Sequence, residues 1–243
     1  MDARKTADRI VQWLQEHKEQ ANAKGFVVGL SGGVDSAVAA ALAKLACPDG
    51  MLAIIMPCYS DPQDAKDAML TAEALQIPVK TVDLGPVYDA LFAQANLDPE
   101  AVPLLARANV KPRLRMVTAY LHAALSNYLV VGAENKDELH VGYFTKYGDA
   151  GVDLLPLANL VKSEVWELAR YLQVPEEVVN KVPTAGLWPD QTDEKEMGIG
   201  YDELDRYLKG EPVSDKARER IEYLHHISEH KRRPIPLGPE PVR

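Results

Sequence analysis

The octapeptide at residues 29–36 constrains the fold of this chain more than any other segment, and it reads Gly-Leu-Ser-Gly-Gly-Val-Asp-Ser. A short apolar run at 25–28 precedes it, and residues 37–46 follow with apolar side chains at helical spacing. The pattern predicts a strand, a tight polar turn and a helix. Because Gly32 and Gly33 carry no Cβ atom, an anion can approach the backbone N–H groups at the helix N-terminus. The segment therefore predicts a phosphate-binding loop.

The spacing within the loop separates it from two familiar phosphate-binding motifs. No lysine follows the glycines, as a Walker A loop requires, and the glycines do not have the spacing of a dinucleotide fingerprint. The loop carries Asp35 instead, whose carboxylate can hold a magnesium ion that binds phosphate. The alternative is a plain glycine turn in which Asp35 and Ser36 cap the helix. The complete Ser-Gly-Gly-x-Asp-Ser string favours function, and it resembles the pyrophosphate loop of N-type ATP pyrophosphatases.

Composition limits the class of protein. The 243 residues suffice for one large α/β domain, which we expect to span 1–243. A net charge of −9 argues against nucleic acid or an anionic membrane as a partner. The two cysteines cannot build a disulfide framework, and residues 1–8 do not read as a signal peptide. We therefore expect a cytoplasmic protein with no membrane segment.

Apolar runs alternate with helical patterns along the chain. Further strands are predicted at 51–56, 78–84 and 128–132, and helices at 3–23, 61–75, 86 onward, 113–126, 163–172, 201–208 and 215–230. The alternation predicts a single-domain α/β fold with a doubly wound parallel sheet and a helical C-terminal part. Residues 96–112 are compatible with a flexible loop over the site or with a pair of short helices. Ligands of such sheets bind beyond the carboxyl ends of the strands.

Two loops combine residue types that structural loops seldom bring together. Residues 142–153 contain glycines, aromatic side chains, a lysine and two carboxylates without a helical or strand period. Residues 183–194 form a second segment of this kind. Because binding and catalytic residues concentrate on loops held by a rigid scaffold, we interpret both as site loops.

Charged side chains near the strand ends predict a metal and phosphate site. Asp35 and Glu138 each follow a predicted strand, and we expect both at exposed loop ends, where two carboxylates, phosphate oxygens and water would suit magnesium. Lys146 and Lys162 are candidates for neutralising phosphate charge. In isolation, Glu138 and the two lysines also fit solvated surface positions. Two arginines, Arg113 and Arg115, fit either an anion site or helix-surface salt bridges.

Seven blocks in sequence order resemble the NAD synthetase family. They lie at 31–36, 111–116, 131–138, 142–153, 183–194, 198–205 and 229–232. The first block alone fits GMP synthetase, asparagine synthetase and tRNA-modifying enzymes equally well, whereas the ordered set is specific. The resemblance implies an adenine nucleotide alpha hydrolase-like fold, a homodimer, and ammonia-dependent, ATP-driven amidation of deamido-NAD through an acyl-adenylate, with release of AMP and pyrophosphate.

The resemblance also implies roles for individual residues. The expected magnesium ligands are Asp35 and Glu138, and the expected catalytic residues are Asp149, which orients ammonia and accepts its proton, and Lys162. The expected ATP-binding residues are Gly29, Leu30, Ser31, Gly32, Gly33, Val34, Asp35, Ser36, Lys162 and Thr184. The expected deamido-NAD-binding residues are Arg113, Lys146, Asp153, His230 and Lys231.

One position departs from the family pattern. Ala133 stands where the family usually has a threonine whose hydroxyl reaches ATP, so about 0.5–1.5 kcal/mol of hydrogen bonding is missing. Another amidating or thiolating ATP pyrophosphatase, and a catalytically inactive nucleotide sensor, are the alternative functions. We expect free ammonia as the nitrogen donor, because only one predicted helix precedes the synthetase blocks and neither cysteine suits a glutaminase nucleophile.

Overall fold

Four short strands form one parallel sheet in the computed structural model, which describes residues 1–188 and 190–242. The strands are β1 (Gly25–Gly29), β2 (Met51–Ile55), β3 (Val79–Thr81) and β4 (Tyr128–Val131), and their order across the sheet is β3-β2-β1-β4. Phe26 pairs with Met51 on one side of β1 and with Leu129 on the other. The parallel sheet predicted from the sequence is confirmed. Pro189 of the second site loop and Arg243 of the tail lie outside the described residues.

Helices connect the strands and build the C-terminal part. The α-helices in chain order are α1 (Ala3–Gln20), α2 (Val34–Ala46), α3 (Pro62–Ala74), α4 (Gly85–Gln94), α5 (Leu104–Ala108), α6 (Val110–Ser126), α7 (Lys136–Val141), α8 (Lys162–Tyr171), α9 (Glu176–Val179), α10 (Asp193–Met197), α11 (Tyr201–Leu208), α12 (Asp215–Ile227) and α13 (Glu229–Arg232). None of those in the described part of the chain is long and apolar enough to cross a membrane.

Side-chain alternation along β1 builds an apolar core on each face of the sheet. Phe26 and Val28 point to a core formed with α1, α2 and α8, whereas Val27 points to a core formed with α4 and α6. Both faces are therefore covered by helices, which confirms the doubly wound arrangement. A third apolar cluster, centred on Leu204 and Ile221, joins α7, α11 and α12 in the helical C-terminal part.

Several boundaries differ from the sequence prediction. Residues 96–112 contain a short helix pair, a 3-10 turn at Pro99–Ala101 followed by α5, rather than a flexible loop. The next helix begins at Val110 instead of 113, since a proline is tolerated in a first helical turn. The predicted helix 215–230 breaks at Ser228, whose Oγ donates to the Leu224 carbonyl.

The strand order determines where a ligand can bind. After β1 the chain moves to β2 and β3 on one side, and it later returns to place β4 on the other side of β1. The carboxyl ends of β1 and β4 thus flank the point where the winding direction reverses, which is the usual binding crevice of open α/β sheets. The glycine loop follows β1 at this point, and the residues Gly132 to Asn135 follow β4.

Candidate active site

The glycine loop is held in shape by hydroxyl hydrogen bonds and by contact with α3. Ser36 Oγ accepts the Ser31 N–H at 3.2 Å and donates to the Gly33 carbonyl at 2.9 Å. Gly32 has a φ of +84°, and a Cβ there would lie 2.3 Å from the Asp64 carbonyl oxygen. The position therefore needs glycine both for its conformation and for close approach. Gly33 caps α2, so the loop presents a helix N-terminus to the cleft, as an anion site requires.

Three charged residues from separate segments meet beside this loop. The Lys162 ammonium lies 2.5 Å from Asp35 Oδ2 and 3.8 Å from Glu138 Oε1. Asn135 adds a link between α7 and α2, because its Nδ2 donates to Asp35 Oδ1 at 2.9 Å. The Lys162 side chain is 1% exposed, against 17% for Asp35 and 14% for Glu138. The expectation of exposed carboxylates at loop ends is thus wrong, since Asp35 and Glu138 stand in the first turns of helices and pack against Lys162.

The electrostatics of this trio favour an additional cation. Burial, together with the neighbouring charge of Asp35, raises the pKa of Glu138 to about 8. Burial alone would lower the pKa of Lys162, but the ion pairs with Asp35 and Glu138 outweigh that effect and raise it. Two carboxylates sharing one ammonium leave unbalanced negative charge when both are ionised. A divalent ion with phosphate oxygens and water as its other ligands would relieve the repulsion, so this donor set fits magnesium. No group of three or more His, Cys, Asp or Glu side chains suited to a metal occurs within 1–188 and 190–242.

A tyrosine behind the trio has no counterpart in the site predicted from the sequence. The Tyr201 hydroxyl donates to Asp193 Oδ2 at 3.0 Å and lies 3.3 Å from Glu138 Oε1. The Lys162 ammonium stands 4.8 Å from the centre of the Tyr201 ring. Since Tyr201 and Asp193 are buried, they fix Glu138 and Lys162 from the protein side. The Tyr201 block belongs to the family resemblance, and this was its only sequence signal.

Lys181 is a second residue that the sequence did not single out. Its ammonium donates to Asp64 Oδ1 at 2.8 Å and to Asp67 Oδ2 at 2.5 Å, and it lies 3.5 Å from the Gly32 carbonyl. The lysine therefore ties the glycine loop and α3 to the segment that leads into the second site loop. A lone lysine between helices carries no pattern, so only the tertiary contacts reveal this role.

The glycine loop, together with the two site loops at 142–153 and 183–194, surrounds a cleft of about 780 Å³. Most of the predicted site residues line it, and these are Gly29, Leu30, Ser31, Gly33, Val34, Asp35, Ser36, Glu138, Asp149, Lys162, Thr184 and Lys231. Gly32 lies just behind the lining, against α3. The first site loop also lines the cleft, through residues that include Phe144 and Thr145.

Asp149 is another lining residue of this loop, and hydrogen bonds fix its orientation. Its Oδ1 accepts the Thr145 N–H at 2.8 Å, and the Thr145 hydroxyl in turn donates to Asn109 Oδ1 at 2.8 Å. Water reaches Asp149 through the open cleft, although the protein on its other sides desolvates the carboxylate and raises its pKa.

Glu134 lies in the same cleft and was not predicted as a site residue. It is only 6% exposed, and its Oε2 has no hydrogen-bond partner among the residues that the structure describes. Burial, followed by the charge of Asp149, raises its pKa well above the ordinary value. Its position directly after a strand and Ala133 was the available sequence signal.

The remaining predicted substrate residues lie outside the cleft. Lys146 Nζ donates to the His230 carbonyl at 2.6 Å, and an Arg113 guanidinium nitrogen donates to the Lys146 carbonyl at 3.2 Å. Asp153 binds β4, since its Oδ2 accepts the Val130 N–H at 2.8 Å and its Oδ1 accepts the Tyr120 hydroxyl at 3.0 Å. Arg113, Lys146 and His230 thus contact one another outside the cleft, while Asp153 contacts β4 and α6; the four are called the outer group below. Lys231 alone reaches inward, donating to the Gly142 and Phe144 carbonyls at 2.6 and 2.7 Å.

Comparison with known proteins identifies the family. The NAD synthase family model matches residues 6–235. The NH(3)-dependent NAD(+) synthetase of Carboxydothermus hydrogenoformans is 50% identical over 233 residues, which cover 96% of both chains.

Solved structures agree with this match. An NMN synthetase from Francisella tularensis superimposes with a TM-score of 0.92 at 43% identity, covering 98% of this chain and 99% of that one. The NH3-dependent NAD synthetase of Campylobacter jejuni superimposes with a TM-score of 0.79 at 29% identity over the full length of both. With a family match over nearly its whole length and relatives close to half identical, this chain belongs to the NAD synthase family.

Proposed function

We propose that this chain is an ammonia-dependent NAD synthetase, a ligase that amidates deamido-NAD at the expense of ATP. The full-length similarity to NH(3)-dependent NAD(+) synthetases, with Asp35, Glu138 and Lys162 assembled at the glycine loop, carries the proposal. Residues 1–243 act as one synthetase domain. The reaction has two steps: ATP adenylylates the nicotinate carboxylate and releases pyrophosphate, and ammonia then displaces AMP.

The first step takes place at the glycine loop. The ATP phosphates bind the backbone N–H groups and hydroxyls of residues 29–36 at the N-terminus of α2, and Thr184 contacts ATP from the facing loop. Lys162 balances charge that develops as pyrophosphate leaves. Asp35 and Glu138 would hold magnesium, which supplies charge neutralisation to the phosphates when bound. Lys162 forms ion pairs with both carboxylates. Binding of magnesium to Asp35 and Glu138 would therefore also change the charge around Lys162.

The second step takes place near Asp149. Its carboxylate orients ammonia and accepts a proton from it. The hydrogen bond from the Thr145 N–H fixes the direction of this carboxylate. Water reaches this carboxylate, so a proton taken from the nucleophile can leave to solvent.

The outer group of Arg113, Lys146, Asp153 and His230 binds the dinucleotide in a homodimer. Arg113 begins a stripe on α6 that continues at four-residue spacing with Val117, Leu121 and Leu125, which are 59%, 58% and 75% exposed. Three large apolar side chains on one exposed helix face suit burial against a second copy. A substrate groove beside that interface would explain why the outer group lies beyond the cleft of a single chain.

A second candidate is amidation of the mononucleotide rather than the dinucleotide. The higher TM-score with the Francisella tularensis NMN synthetase, 0.92 against 0.79 for the Campylobacter jejuni NAD synthetase, favours it. The two reactions share ATP, ammonia and the acyl-adenylate, and they differ only in the size of the acid. The inner cleft residues serve both, whereas the outer group would matter only for the dinucleotide.

Product formation with defined substrates tests both candidates. The purified chain is incubated with ATP, magnesium and ammonium chloride, together with deamido-NAD or nicotinic acid mononucleotide. Formation of NAD with release of AMP and pyrophosphate supports the first proposal, and a higher kcat/KM for the mononucleotide supports the second. Glutamine free of ammonia replaces ammonium in a parallel reaction, where no product is expected. Absence of any amide product would refute both.

We place the enzyme in the cytoplasm, where its nucleotide substrates are found.

A further inference from the structure

Glu134 is a buried carboxylate that has no role in the proposed two-step reaction. It lies two residues after Gly132, beyond the end of β4. It lines the cleft and is 6% exposed. A Cβ on Gly132 would lie 2.7 Å from Glu134 Oε2, so the glycine makes room for the carboxylate beside the strand end. The same space is bounded by apolar atoms of Val152 and Leu155.

This environment is unfavourable for the carboxylate on its own. Within 1–188 and 190–242, Oε2 has no hydrogen-bond partner. A buried charge without a partner is costly, and it is retained where a ligand completes it. Asp149 lines the same cleft, and its charge acts on Glu134. Two carboxylates in one cleft, one buried and one reached by water, suit a small cation that donates several hydrogen bonds.

We propose that Glu134 and Asp149 together form the ammonium site, in which Glu134 holds the cation and acts as a second proton acceptor. This inference rests on the proposed amidation. Ammonia is almost wholly protonated near neutral pH, so the species available to the enzyme is a cation with four N–H donors. Its size is close to that of a water molecule, so the open cleft that Glu134 and Asp149 line admits it.

Two acceptors match the proton balance of the reaction. Ammonium loses one proton to become a nucleophile, and the nitrogen loses a second after it has attacked the acyl-adenylate. The C–N bond forms while the C–O bond to the AMP phosphate breaks, and AMP leaves with that electron pair. Asp149 takes the first proton, since water can carry it away. Bound ammonium holds Glu134 in its ionised form, and when the nitrogen gives up its second proton Glu134 takes it and returns to the neutral form that burial favours.

The test is Glu134→Gln, which keeps the volume and removes the charge. Three rates are compared with wild type: NAD formation over a range of ammonium chloride, hydroxamate formation from hydroxylamine, and pyrophosphate release in a single turnover without a nitrogen donor. Hydroxylamine is largely neutral at pH 7 and needs no cation site. We expect the ammonium KM to rise about tenfold or more and kcat to fall, since a hydrogen bond to a charged group is lost. Pyrophosphate release and the KM for hydroxylamine should stay within about threefold, whereas the kcat of hydroxamate formation should fall together with that of NAD formation, because the hydroxylamine nitrogen also loses a proton after attack.

Further variants separate this role from a structural one. Glu134→Asp keeps the charge and should recover part of the ammonium KM, which also covers the case in which the Gln variant does not fold. Glu219→Gln on exposed α12 is the matched control and should equal wild type. An unchanged ammonium KM in E134Q, or an equal loss of all three rates, would overturn the proposal. Wild type without NAD formation would instead refute the proposed function, so the two failures are distinguishable.

Discussion

Lys162 Nζ lies 2.5 Å from Asp35 Oδ2, although the two residues are separated by 127 positions in the sequence. The contact joins the first turn of α8 to the first turn of α2, and Glu138 on α7 is the third member at 3.8 Å. Three helix N-termini, after β1, after β4 and at 162, therefore meet at one edge of the sheet. The relationship predicts that the lysine serves catalysis and the local fold together.

Lys162→Met should abolish most adenylylation and lower stability. Without the ammonium, Asp35 and Glu138 face each other with no balancing charge, and breaking a buried ion pair costs about 3–5 kcal/mol. Pyrophosphate release should fall by about 100-fold or more, because an electrostatic contact to the leaving group is lost. Pyrophosphate assays and thermal unfolding measure the two effects. Lys216→Met, on the exposed surface of α12, should change neither. Wild-type release by K162M would contradict the assignment.

Asp35→Asn and Glu138→Gln should each raise the magnesium concentration needed for half-maximal activity, and activity should fall steeply at ordinary magnesium. Each variant loses one anionic ligand. Glutamine is chosen at 138 because Glu138 also accepts the Asn135 N–H in a capping box, so alanine would remove a helix cap as well. Magnesium titration of the rate is the measurement. Asp8→Asn on α1 serves as the control, and unchanged magnesium curves for both site variants would refute the metal assignment.

Leu121→Asp should convert the proposed homodimer to monomers. Leu121 is 58% exposed at the centre of the α6 stripe, and a buried charge at an apolar interface is unfavourable. Light scattering after size exclusion should give about twice 26.8 kDa for wild type and about 26.8 kDa for the variant. The variant should also lose dinucleotide turnover. Leu45→Asp, at an exposed position on α2, is the matched control. A fully active wild-type monomer would show that the dimer proposal is incorrect.

Glu134→Gln should stabilise the free protein, relative to wild type, as pH rises above the ordinary glutamate pKa. Burial, and then the charge of Asp149, raises the pKa of Glu134 in the folded state, and Glu138 acts in the same direction. A raised folded pKa means that its stabilising contribution is complete below the unfolded pKa and is lost as pH rises through the folded pKa. The Tm of wild type should therefore fall more steeply than that of the variant as pH rises from about 4.3, the ordinary glutamate pKa, towards the raised folded pKa. Parallel Tm curves would contradict the assigned state of Glu134.

Ala133→Thr should lower the KM for ATP. Ala133 lines the cleft beside the ends of β1 and β4, and the family's threonine hydroxyl would restore one hydrogen bond. Since one hydrogen bond contributes about 0.5–1.5 kcal/mol, the KM for ATP should fall about two- to tenfold. Initial rates over a range of ATP check it, with Ala133→Val as the control of similar shape without the hydroxyl. An equal KM in the Thr and Val variants would show that the hydroxyl does not reach ATP.

Local chemistry made much of the architecture predictable from sequence. Gly32 and Gly33 between an apolar run and an alanine-rich helix specify a strand–loop–helix anion site, because backbone conformation there depends on near neighbours. The alternation of apolar runs and helical patterns likewise specified the parallel sheet with helices on both faces. The ordered motifs indicated the family, and the family resemblance in turn indicated the candidate residues of the site. All of these signals lie within short windows of sequence.

Only the tertiary structure decided that Lys162 pairs directly with Asp35 and Glu138 and how far these charges are buried. The strand order sets β4 beside β1, and this adjacency brings Asp35 to Glu138 and Lys162. Exposure followed the same rule: Glu138 looked like a solvated helix residue, and packing beside Asp35 and Tyr201 buried it. Lys181 gave no pattern in the sequence, because it acts through contacts over more than 100 positions. Glu134 gave only its place after a predicted strand, because its significance lies in burial and in an Oε2 atom without a partner among the described residues. Burial and pairing are properties of the assembled fold, and a carboxylate or lysine has the same letter in either environment.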